Sequence, residues 1–528
     1  MKKIVIDGSN LKIEDVYNVA YKNYKISLLE DKKFWDKIID SRNFLEDYIK
    51  KGYPIYGVTT GFGDSCHNQI THKKTEQLQQ SLINFHGIGV GEYFTKEEAK
   101  AIMLVRLNSN CKGYSGLRVE TLRLMENLIN KDIVPLVPQI GSVGASGDLT
   151  PLSYLAAVLM GERKVFYNNE ILPTNLVFEK EGISPVKLQA KEGLALMNGT
   201  SVMTAIASIS LYHIEKLANI SDLITSITVE IINGNEIPFR RRVSELKNHK
   251  GQLESANFIF NIVNNSKRVH KYEELLDKVG RLEDGHYKKH NIKIQDRYSV
   301  RCAPQINGVL RDTINFCKVW IENEINSAND NPLIDSENRV IYNCGNFYGG
   351  HISLACDYLR IALANISDLS DKQAELIIDG KFNNLTENLA PYLEPHSPLK
   401  GLVHGFKAAQ ISISALRSEI QFLASPVSIH STPTESLNQD KVSLGTISAR
   451  KLKEMVDLLY LQFSIHILAI LQAIDLIGVD NFSNITIKFY HKLREFTKFV
   501  NEDRPLDEEV SKVSSFLKEK DFNEIIES

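Results

Sequence analysis

The hydrophobic pattern of this 528-residue chain changes near residue 195. Upstream of it, short apolar runs alternate with glycine-rich turns such as KIVIDG, YPIYGVTTGFGD and HGIGVGE, which indicates mixed α/β or irregular structure between helices. Downstream, apolar residues recur at three- and four-residue spacing. This spacing predicts long helices at about 200–235, 305–328, 350–378, 403–425 and 446–478.

Long helices that bury an apolar stripe pack side by side, so we expect a mainly α fold with a long central helical bundle. The change of pattern divides the chain into two predicted domains. The first is a mixed N-terminal domain over residues 1–200, and the second is a long-helix bundle domain over residues 201–528.

Charge and cysteine content exclude several classes of partner. The formal net charge is −3 with both signs well mixed, so no basic field predicts a nucleic-acid partner. The six cysteines lack metal-binding spacing, which favours reduced thiols in a cytoplasmic protein without a metal. The N-terminus MKKIVIDGSN does not resemble a signal peptide. Polar residues interrupt the most apolar segment, 458–479, so we expect a buried bundle helix and no membrane contact.

The segment GSVGASGDLTP, residues 141–151, almost lacks large side chains. A tight turn is the simplest explanation, because glycine permits unusual backbone angles. The triad Ala145-Ser146-Gly147 also suits backbone cyclisation. The Gly147 nitrogen is unhindered, the Ala145 carbonyl is uncrowded, and Ser146 can lose its hydroxyl as water.

The longer segment GSVGASGDLTPLSYLA resembles the prosthetic-group motif of the aromatic amino acid ammonia-lyases, the family of histidine, phenylalanine and tyrosine ammonia-lyases and related aminomutases. The resemblance extends through most of the chain in the same order. It implies the ammonia-lyase/fumarase-like architecture and a 4-methylidene-imidazol-5-one (MIO) formed from Ala145, Ser146 and Gly147. No metal and no added cofactor are implied. Asp148 and Phe347 would shape the cyclisation site.

Two further motifs supply a base and a carboxylate site. YGVTTGFG is similar to the family's catalytic-tyrosine loop, which implies that Tyr56 removes the β-proton. A free phenol has a pKa of about 10, so we expect positive potential to lower it. QDRYSVR is similar to the family's QDRYALR, which implies that Arg301 binds the substrate carboxylate through its planar guanidinium. Tyr298, as a catalytic residue, and Gln295 would hydrogen-bond in the site.

The resemblance also implies an assembly and two polar contacts. In the family the tyrosine and arginine of QDRYALR enter from a neighbouring subunit, which implies a homotetramer with shared active sites. GLALMNGT places Asn198 near the substrate carboxylate or the imidazolone oxygen. NDNP and GNF, sixteen residues apart, imply that Asn331 orients the substrate and that Phe347 packs near the prosthetic group.

The residues expected to select the substrate give a mixed indication. Phe85-His86 combines positions typical of phenylalanine lyases and of histidine lyases, and His86 can hydrogen-bond a phenol or an imidazole. Gln439 replaces a glutamate typical of histidine lyases, and Lys407 with Glu435 matches a pair found in phenylalanine lyases. An ordinary ion pair is the alternative for that pair.

We therefore expect an ammonia-lyase (a carbon-nitrogen lyase) acting on phenylalanine or tyrosine and releasing a trans-cinnamate-type acid. Histidine ammonia-lyase and aromatic 2,3-aminomutase activity are the alternatives within the family. An inactive helical scaffold or binding protein on the same fold is the alternative from another class.

Overall fold

The computed structural model describes residues 2–282, 287–290 and 292–526. The described part is mainly helical, as the hydrophobic pattern predicts. Its helices are, in chain order, α1 (Ile13–Tyr21), α2 (Lys32–Lys50), α3 (Thr75–Phe85), α4 (Lys96–Asn110), α5 (Val119–Lys131), α6 (Leu149–Leu159), α7 (Thr174–Glu181), α8 (Glu192–Met197), α9 (Ser201–Ile231), α10 (Arg241–Glu245), α11 (Lys250–Val263), α12 (Tyr272–Val279), α13 (Tyr298–Arg301), α14 (Ala303–Ile325), α15 (Gly350–Ile378), α16 (Gly380–Asn383), α17 (Lys407–Leu423), α18 (Gly445–Ile477), α19 (Asn484–Arg494), α20 (Asp507–Glu519) and α21 (Phe522–Ile526).

The described strands are short and form small separate sheets. They are β1 (Lys3–Ile6), β2 (Lys25–Leu28), β3 (Val90–Tyr93), β4 (Val134–Pro135), β5 (Pro138–Ile140), β6 (Lys164–Tyr167), β7 (Glu170–Pro173), β8 (Leu333–Asp335) and β9 (Val340–Tyr342). β1 and β2 pair in parallel, whereas β3–β5, β4–β6–β7 and β8–β9 pair antiparallel.

The chain divides into two compact units, and the boundaries fall within α9, α14, α15 and α18 and in the segment between α17 and α18. The first unit comprises residues 1–212, 317–357 and 426–453, and the second comprises 213–316, 358–425 and 454–528. Each unit is therefore built from three separate segments. The boundary between 1–200 and 201–528 stays a prediction from the sequence.

The first unit is organised around α4, which is buried along almost its whole length. A capping box starts this helix: Thr95 accepts from the Glu98 backbone N–H, and the Glu98 carboxylate accepts from the Thr95 N–H. A second apolar cluster contains Phe44, Leu45, Ile55, Val58, Ala190 and Ile334. Two of its members, Ile55 and Val58, flank Tyr56 and anchor the loop that carries it.

The second unit is a bundle of long helices joined by buried polar contacts. The Asp222 carboxylate on α9 accepts hydrogen bonds from Ser255 on α11 and from Asn307 and Arg311 on α14. Buried carboxylates need such partners, because desolvation without them is costly. An apolar cluster around Val229, Phe239 and Ile259 fills the space between the helices.

Among the described helices, α18 is the one long and apolar enough to cross a membrane. Of its most apolar window, 72% is buried inside the protein. That degree of burial is typical of a core helix, which is the role expected for residues 458–479.

Candidate active site

Seven of the predicted site residues line one cavity of about 370 Å³ in the first unit. They come from five separate stretches of the chain, and they are Tyr56, Phe85, His86, Ser146, Asn198, Glu435 and Gln439. The cavity therefore brings together the tyrosine loop, the end of α3, the Ala-Ser-Gly turn, the segment between α8 and α9, and the segment before α18.

Tyr56 sits on a loop that hydrogen bonds hold at several points. Gln79 on α3 donates to the Gly57 carbonyl at 2.9 Å, and its side-chain oxygen accepts from the Leu194 N–H at 3.0 Å. The Gly63 N–H donates to the phenol oxygen of Tyr56 at 2.9 Å. The loop thus returns on itself so that one of its own amides contacts the tyrosine hydroxyl.

The pKa of Tyr56 differs in direction from the sequence expectation. Burial raises this pKa above its ordinary value of 10.0, the Gly63 N–H opposes the rise, and the negative charge of Glu435 adds to it. The expected lowering by positive potential is therefore not present in this chain. The physical reason is that desolvation disfavours the phenolate more than one amide hydrogen bond favours it.

The Ala145-Ser146-Gly147 turn is held from both sides. The Asp148 N–H donates to the Gly199 carbonyl at 2.8 Å, and Ser142 donates to the Gly147 carbonyl at 3.0 Å. Gly147 has φ +70, and a Cβ there would overlap the Gly199 carbonyl. Only glycine fits this position, because both the backbone angle and the close approach exclude a side chain.

Asp148 is fully buried beside the turn and joins it to α9 and α18. Its carboxylate accepts from the backbone N–H groups of Val202 and Met203 at 2.9 and 3.0 Å, and from the Thr446 hydroxyl. Burial raises the pKa of Asp148 to about 6. Asp148 therefore contacts the N-terminal turn of α9, where unpaired amides and the helix dipole favour a carboxylate.

These residues fit an MIO group at positions 145–147. The turn has no room for a Cβ at its third residue, and Ser146 lines the cavity. The Ser142 hydroxyl accepts from the Gly144 N–H and donates to the Gly147 carbonyl, which fixes both ends of the triad. The described residues contain no cluster of three His, Cys, Asp or Glu side chains that could hold a metal ion.

Asn198 presents a buried acceptor at the cavity. Its Nδ2 donates to the Asn331 carbonyl at 3.0 Å, and its Oδ1 has no hydrogen-bond partner among the described residues. Asn331 itself is buried behind Asn198 and does not line the cavity; its side-chain oxygen accepts from the Cys344 N–H at 2.7 Å. An unpartnered buried oxygen is costly unless a ligand donates to it.

Buried charges behind the cavity fix this asparagine pair. Lys191 and Asp330 form an ion pair at 2.6 Å with both side chains essentially inaccessible. Asp330 also accepts from the Asn331 N–H, and Arg106 donates to the carbonyls of Asn329 and Ala195. The ion pair thereby orients the peptide whose carbonyl accepts the hydrogen bond from Asn198.

His86 forms part of the cavity wall as a neutral imidazole. Burial lowers its pKa below the ordinary value, and Nδ1 lies 2.9 Å from the Leu82 carbonyl. A carbonyl only accepts, so Nδ1 carries the proton and Nε2 is left as an acceptor. The adjacent Phe85 ring lies 4.3 Å from the imidazole, centroid to centroid.

The apolar wall around these groups is not among the residues predicted from the sequence. Leu78 and Leu82 on α3, Leu149 on α6 and Leu194 on α8 complete it. Leu78 and Leu82 are four residues apart and precede His86 by the same spacing, so helical periodicity alone could have indicated them. Leu149 follows the Ala-Ser-Gly turn in the chain, and Leu194 precedes Asn198.

The remaining predicted residues lie outside this lining. Phe347 belongs to the first unit, is half-buried and does not line the cavity. Gln295, Tyr298, Arg301 and Lys407 belong to the second unit. There Lys407 is exposed at the start of α17, and Gln295 is exposed before α13.

Tyr298 and Arg301 form a pair on α13. The Arg301 guanidinium lies over the Tyr298 ring, 4.5 Å from its centroid, and Tyr298 is 72% exposed. The Arg301 Nε has no hydrogen-bond partner among the described residues. Asp296, which accepts from the Asn235 backbone and side chain, anchors the segment before the pair.

The fold and the cavity are those expected of a carbon–nitrogen lyase, and comparison with known proteins agrees. The model of the aromatic amino acid lyase family matches residues 11–495. Histidine ammonia-lyase from Caldanaerobacter subterraneus subsp. tengcongensis is 37% identical over 506 residues, covering 96% of this chain and 94% of that protein. Histidine ammonia-lyase from Alkaliphilus oremlandii is 36% identical over 527 residues, covering 100% of this chain and 99% of that protein.

Among solved structures, tyrosine aminomutase from Streptomyces globisporus superposes with a TM-score of 0.93 at 31% identity, covering 99% of this chain and 98% of that one. This chain belongs to the aromatic amino acid lyase family. The resemblance inferred from its motifs is thereby confirmed, as are the fold class and the assignment to the carbon–nitrogen lyases.

Proposed function

We propose that this enzyme is a histidine ammonia-lyase that converts L-histidine to trans-urocanate and ammonia. The motifs of the sequence favour phenylalanine or tyrosine, with histidine as the alternative. The histidine ammonia-lyases among the relatives favour that alternative. One structural observation carries the proposal: the cavity presents an acceptor nitrogen, Nε2 of His86, within a largely apolar wall.

The Nε2 acceptor requires a substrate side chain with a donor. An imidazole N–H meets this requirement, whereas a phenyl ring does not. The amide of Gln439, on the same cavity, adds both a donor and an acceptor. A site with polar groups of this kind disfavours a substrate that leaves them unpaired.

The substrate backbone would be bound by groups from two parts of the assembly. The resemblance assigns the carboxylate to Arg301, with Tyr298 and Gln295 beside it, entering from a neighbouring subunit of a homotetramer. The exposure of Tyr298 and the unpartnered Nε of Arg301 support this assignment. The free Oδ1 of Asn198 suits an N–H of the substrate amine, and Asn331 holds Asn198 in that orientation.

Tyr56 is the proposed base. Tyr56 lines the cavity, and its phenol oxygen receives a hydrogen bond from the Gly63 N–H, which stabilises the phenolate after the hydroxyl proton leaves. The phenolate removes the β-proton of the substrate, so the electron pair of that C–H bond forms the double bond of the product as the amine departs. Holding both groups in one cavity makes the step intramolecular.

The MIO group implied at Ala145, Ser146 and Gly147 would supply an electrophilic carbon that turns the substrate amine into a better leaving group. The residues of the chain hold that carbon in place. Ser142 fixes the turn by donating to the Gly147 carbonyl and lies within hydrogen-bond distance of the Asp148 carboxylate.

Tyrosine is the second candidate substrate, because a phenol O–H also donates to Nε2 of His86. The similarity to tyrosine aminomutase raises the related possibility that the amine returns to the β-carbon. The two reactions share every residue named above and differ in their products. A β-amino acid product would assign aminomutase activity.

The test is a comparison of three substrates with one control variant. The purified chain is incubated separately with L-histidine, L-tyrosine and L-phenylalanine, and the ultraviolet absorbance of the conjugated acid and the release of ammonia are followed. We expect the highest kcat/KM with histidine. Ser146→Ala, which cannot form the electrophile, should lose nearly all turnover with the oligomer intact. Wild-type turnover in that variant would refute the proposal.

A further inference from the structure

Glu435 makes an unexpected contact in the cavity wall. From the sequence, Glu435 is predicted to be one of the substrate-binding residues. In the structure both carboxylate oxygens accept from the Asp64 backbone N–H, at 3.1 and 3.2 Å, across 371 residues of chain. The carboxylate also lies directly on Gly63, where a Cβ would overlap it, so the close approach depends on glycine at that position.

The Asp64 amide is next to the amide that contacts the base. The Gly63 N–H donates to the Tyr56 phenol oxygen at 2.9 Å, and the Asp64 N–H, one residue later, donates to Glu435. Consecutive peptide planes share one Cα, so fixing the second plane restricts the orientation of the first. Glu435 therefore restrains the amide that binds Tyr56.

The loop that presents Glu435 is held in an unfavourable conformation. Glu435, Ser436 and Leu437 have φ of +51, +53 and +63, and none of them is glycine. Each such residue costs roughly 1 kcal/mol or more. Two backbone hydrogen bonds between Thr434 and Gln439 close the loop, and Leu437 is 69% exposed, so packing of its side chain does not offset the cost.

Strain of this kind persists where a loop has to present a side chain in one place. We propose that Glu435 is a positioning residue whose carboxylate clamps the Gly61–Ser65 segment, so that the Gly63 N–H stays on the phenol oxygen of Tyr56. This inference rests on the proposed function, because the role of Tyr56 as the base is part of that function. Electrostatics alone would not place a carboxylate here, because its charge opposes formation of the phenolate.

Three variants and one control test the clamp. Glu435→Gln keeps an acceptor oxygen for the Asp64 N–H and removes the charge. Glu435→Ala removes the acceptor, and Glu435→Asp keeps the charge but is one methylene too short to reach. Ser436→Ala, on the same strained loop, touches neither Asp64 nor Gly63 and is the control.

The first measurement is hydrogen–deuterium exchange of residues 61–66 in the substrate-free protein, with α6 as an internal reference for folding. In Glu435→Ala and Glu435→Asp, exchange of this segment should accelerate about tenfold, as expected for loss of a hydrogen bond to a charged group. Exchange in Glu435→Gln and Ser436→Ala should match that of the wild type. Equal exchange in all four variants would overturn the clamp.

The second measurement is turnover. The clamp predicts that Glu435→Ala lowers kcat about tenfold with little change in KM, and that Glu435→Gln keeps most of kcat. In Glu435→Gln the rising limb of the pH profile, which reports deprotonation of Tyr56, should move to lower pH, because a negative charge near Tyr56 is gone. If Glu435→Gln and Glu435→Ala raise KM equally, Glu435 binds the substrate, and the proposal is overturned. The exchange experiment needs no turnover, so failure of the proposed function leaves it decisive.

Discussion

His86→Leu tests the basis of substrate selection. The substitution removes Nε2, the acceptor on the cavity wall, and replaces the imidazole with an apolar side chain of similar reach. An imidazole or phenol substrate then buries a donor without a partner, whereas a phenyl substrate loses nothing.

The size of the effect follows from the hydrogen bond. A donor left buried and unpaired costs about 1–3 kcal/mol. Each 1.4 kcal/mol corresponds to about a tenfold change in rate, so kcat/KM for L-histidine should fall about 10- to 100-fold. The value for L-phenylalanine should stay level or rise, because the new wall is apolar.

The assay is the initial rate of conjugated-acid formation from each amino acid, measured for the wild type and the variant at one pH. Phe85→Leu is the matched control, because Phe85 lines the same wall without making a side-chain hydrogen bond. In Phe85→Leu, kcat/KM should change by a similar factor for L-histidine and for L-phenylalanine. An equal loss for both substrates in His86→Leu, or no loss for histidine, would refute the acceptor role.

Three further predictions concern the turn, the base and the assembly. Gly147→Ala should abolish activity while the helix content measured by circular dichroism stays unchanged. Gly182→Ala is the control and should keep activity, because Gly182 has a similar positive φ but open space around it. Equal activities of the two variants would contradict the close packing of the turn. The phenolate of Tyr56 is the proposed active form, and burial raises the pKa of Tyr56 above 10.0. We therefore expect kcat/KM to increase with pH until the pH passes this raised pKa. A flat pH profile would contradict the role of Tyr56 as the base. Inactive Tyr56→Phe and Arg301→Ala chains, co-expressed, should recover about a quarter of wild-type activity if sites are shared between subunits; mixtures that stay inactive would refute sharing.

The long helices were predictable because their apolar stripes repeat with the helical period. Expected segments at 200–235, 305–328, 350–378 and 446–478 correspond to α9, α14, α15 and α18 to within a few residues. The segment expected from 403 begins later, at Lys407. Gly405 has φ +58, and its amide and that of His404 donate to Asp503, so these residues form a turn before α17.

The site was predictable where short motifs carry the chemistry and less so where the fold assembles it. Tyr56, Ser146 and Asn198 stand in recognisable motifs and meet in one cavity. The contact of Glu435 with the Asp64 amide joins positions 371 residues apart, and the pattern around neither residue indicates it.

The pKa of Tyr56 shows a similar limit. The direction in which this pKa shifts depends on the burial of Tyr56 and on the nearby Glu435 charge, which are properties of the folded cavity. The identity of the tyrosine loop was available from the sequence, but the balance of desolvation against one amide hydrogen bond was not.

The most direct test of the account is the product formed from L-histidine. The account predicts that the wild-type chain releases ammonia and trans-urocanate in equal amounts, detected by a coupled ammonia assay and by ultraviolet absorbance, and that Ser146→Ala forms neither. Release of neither ammonia nor urocanate from L-histidine by the wild-type chain would contradict it.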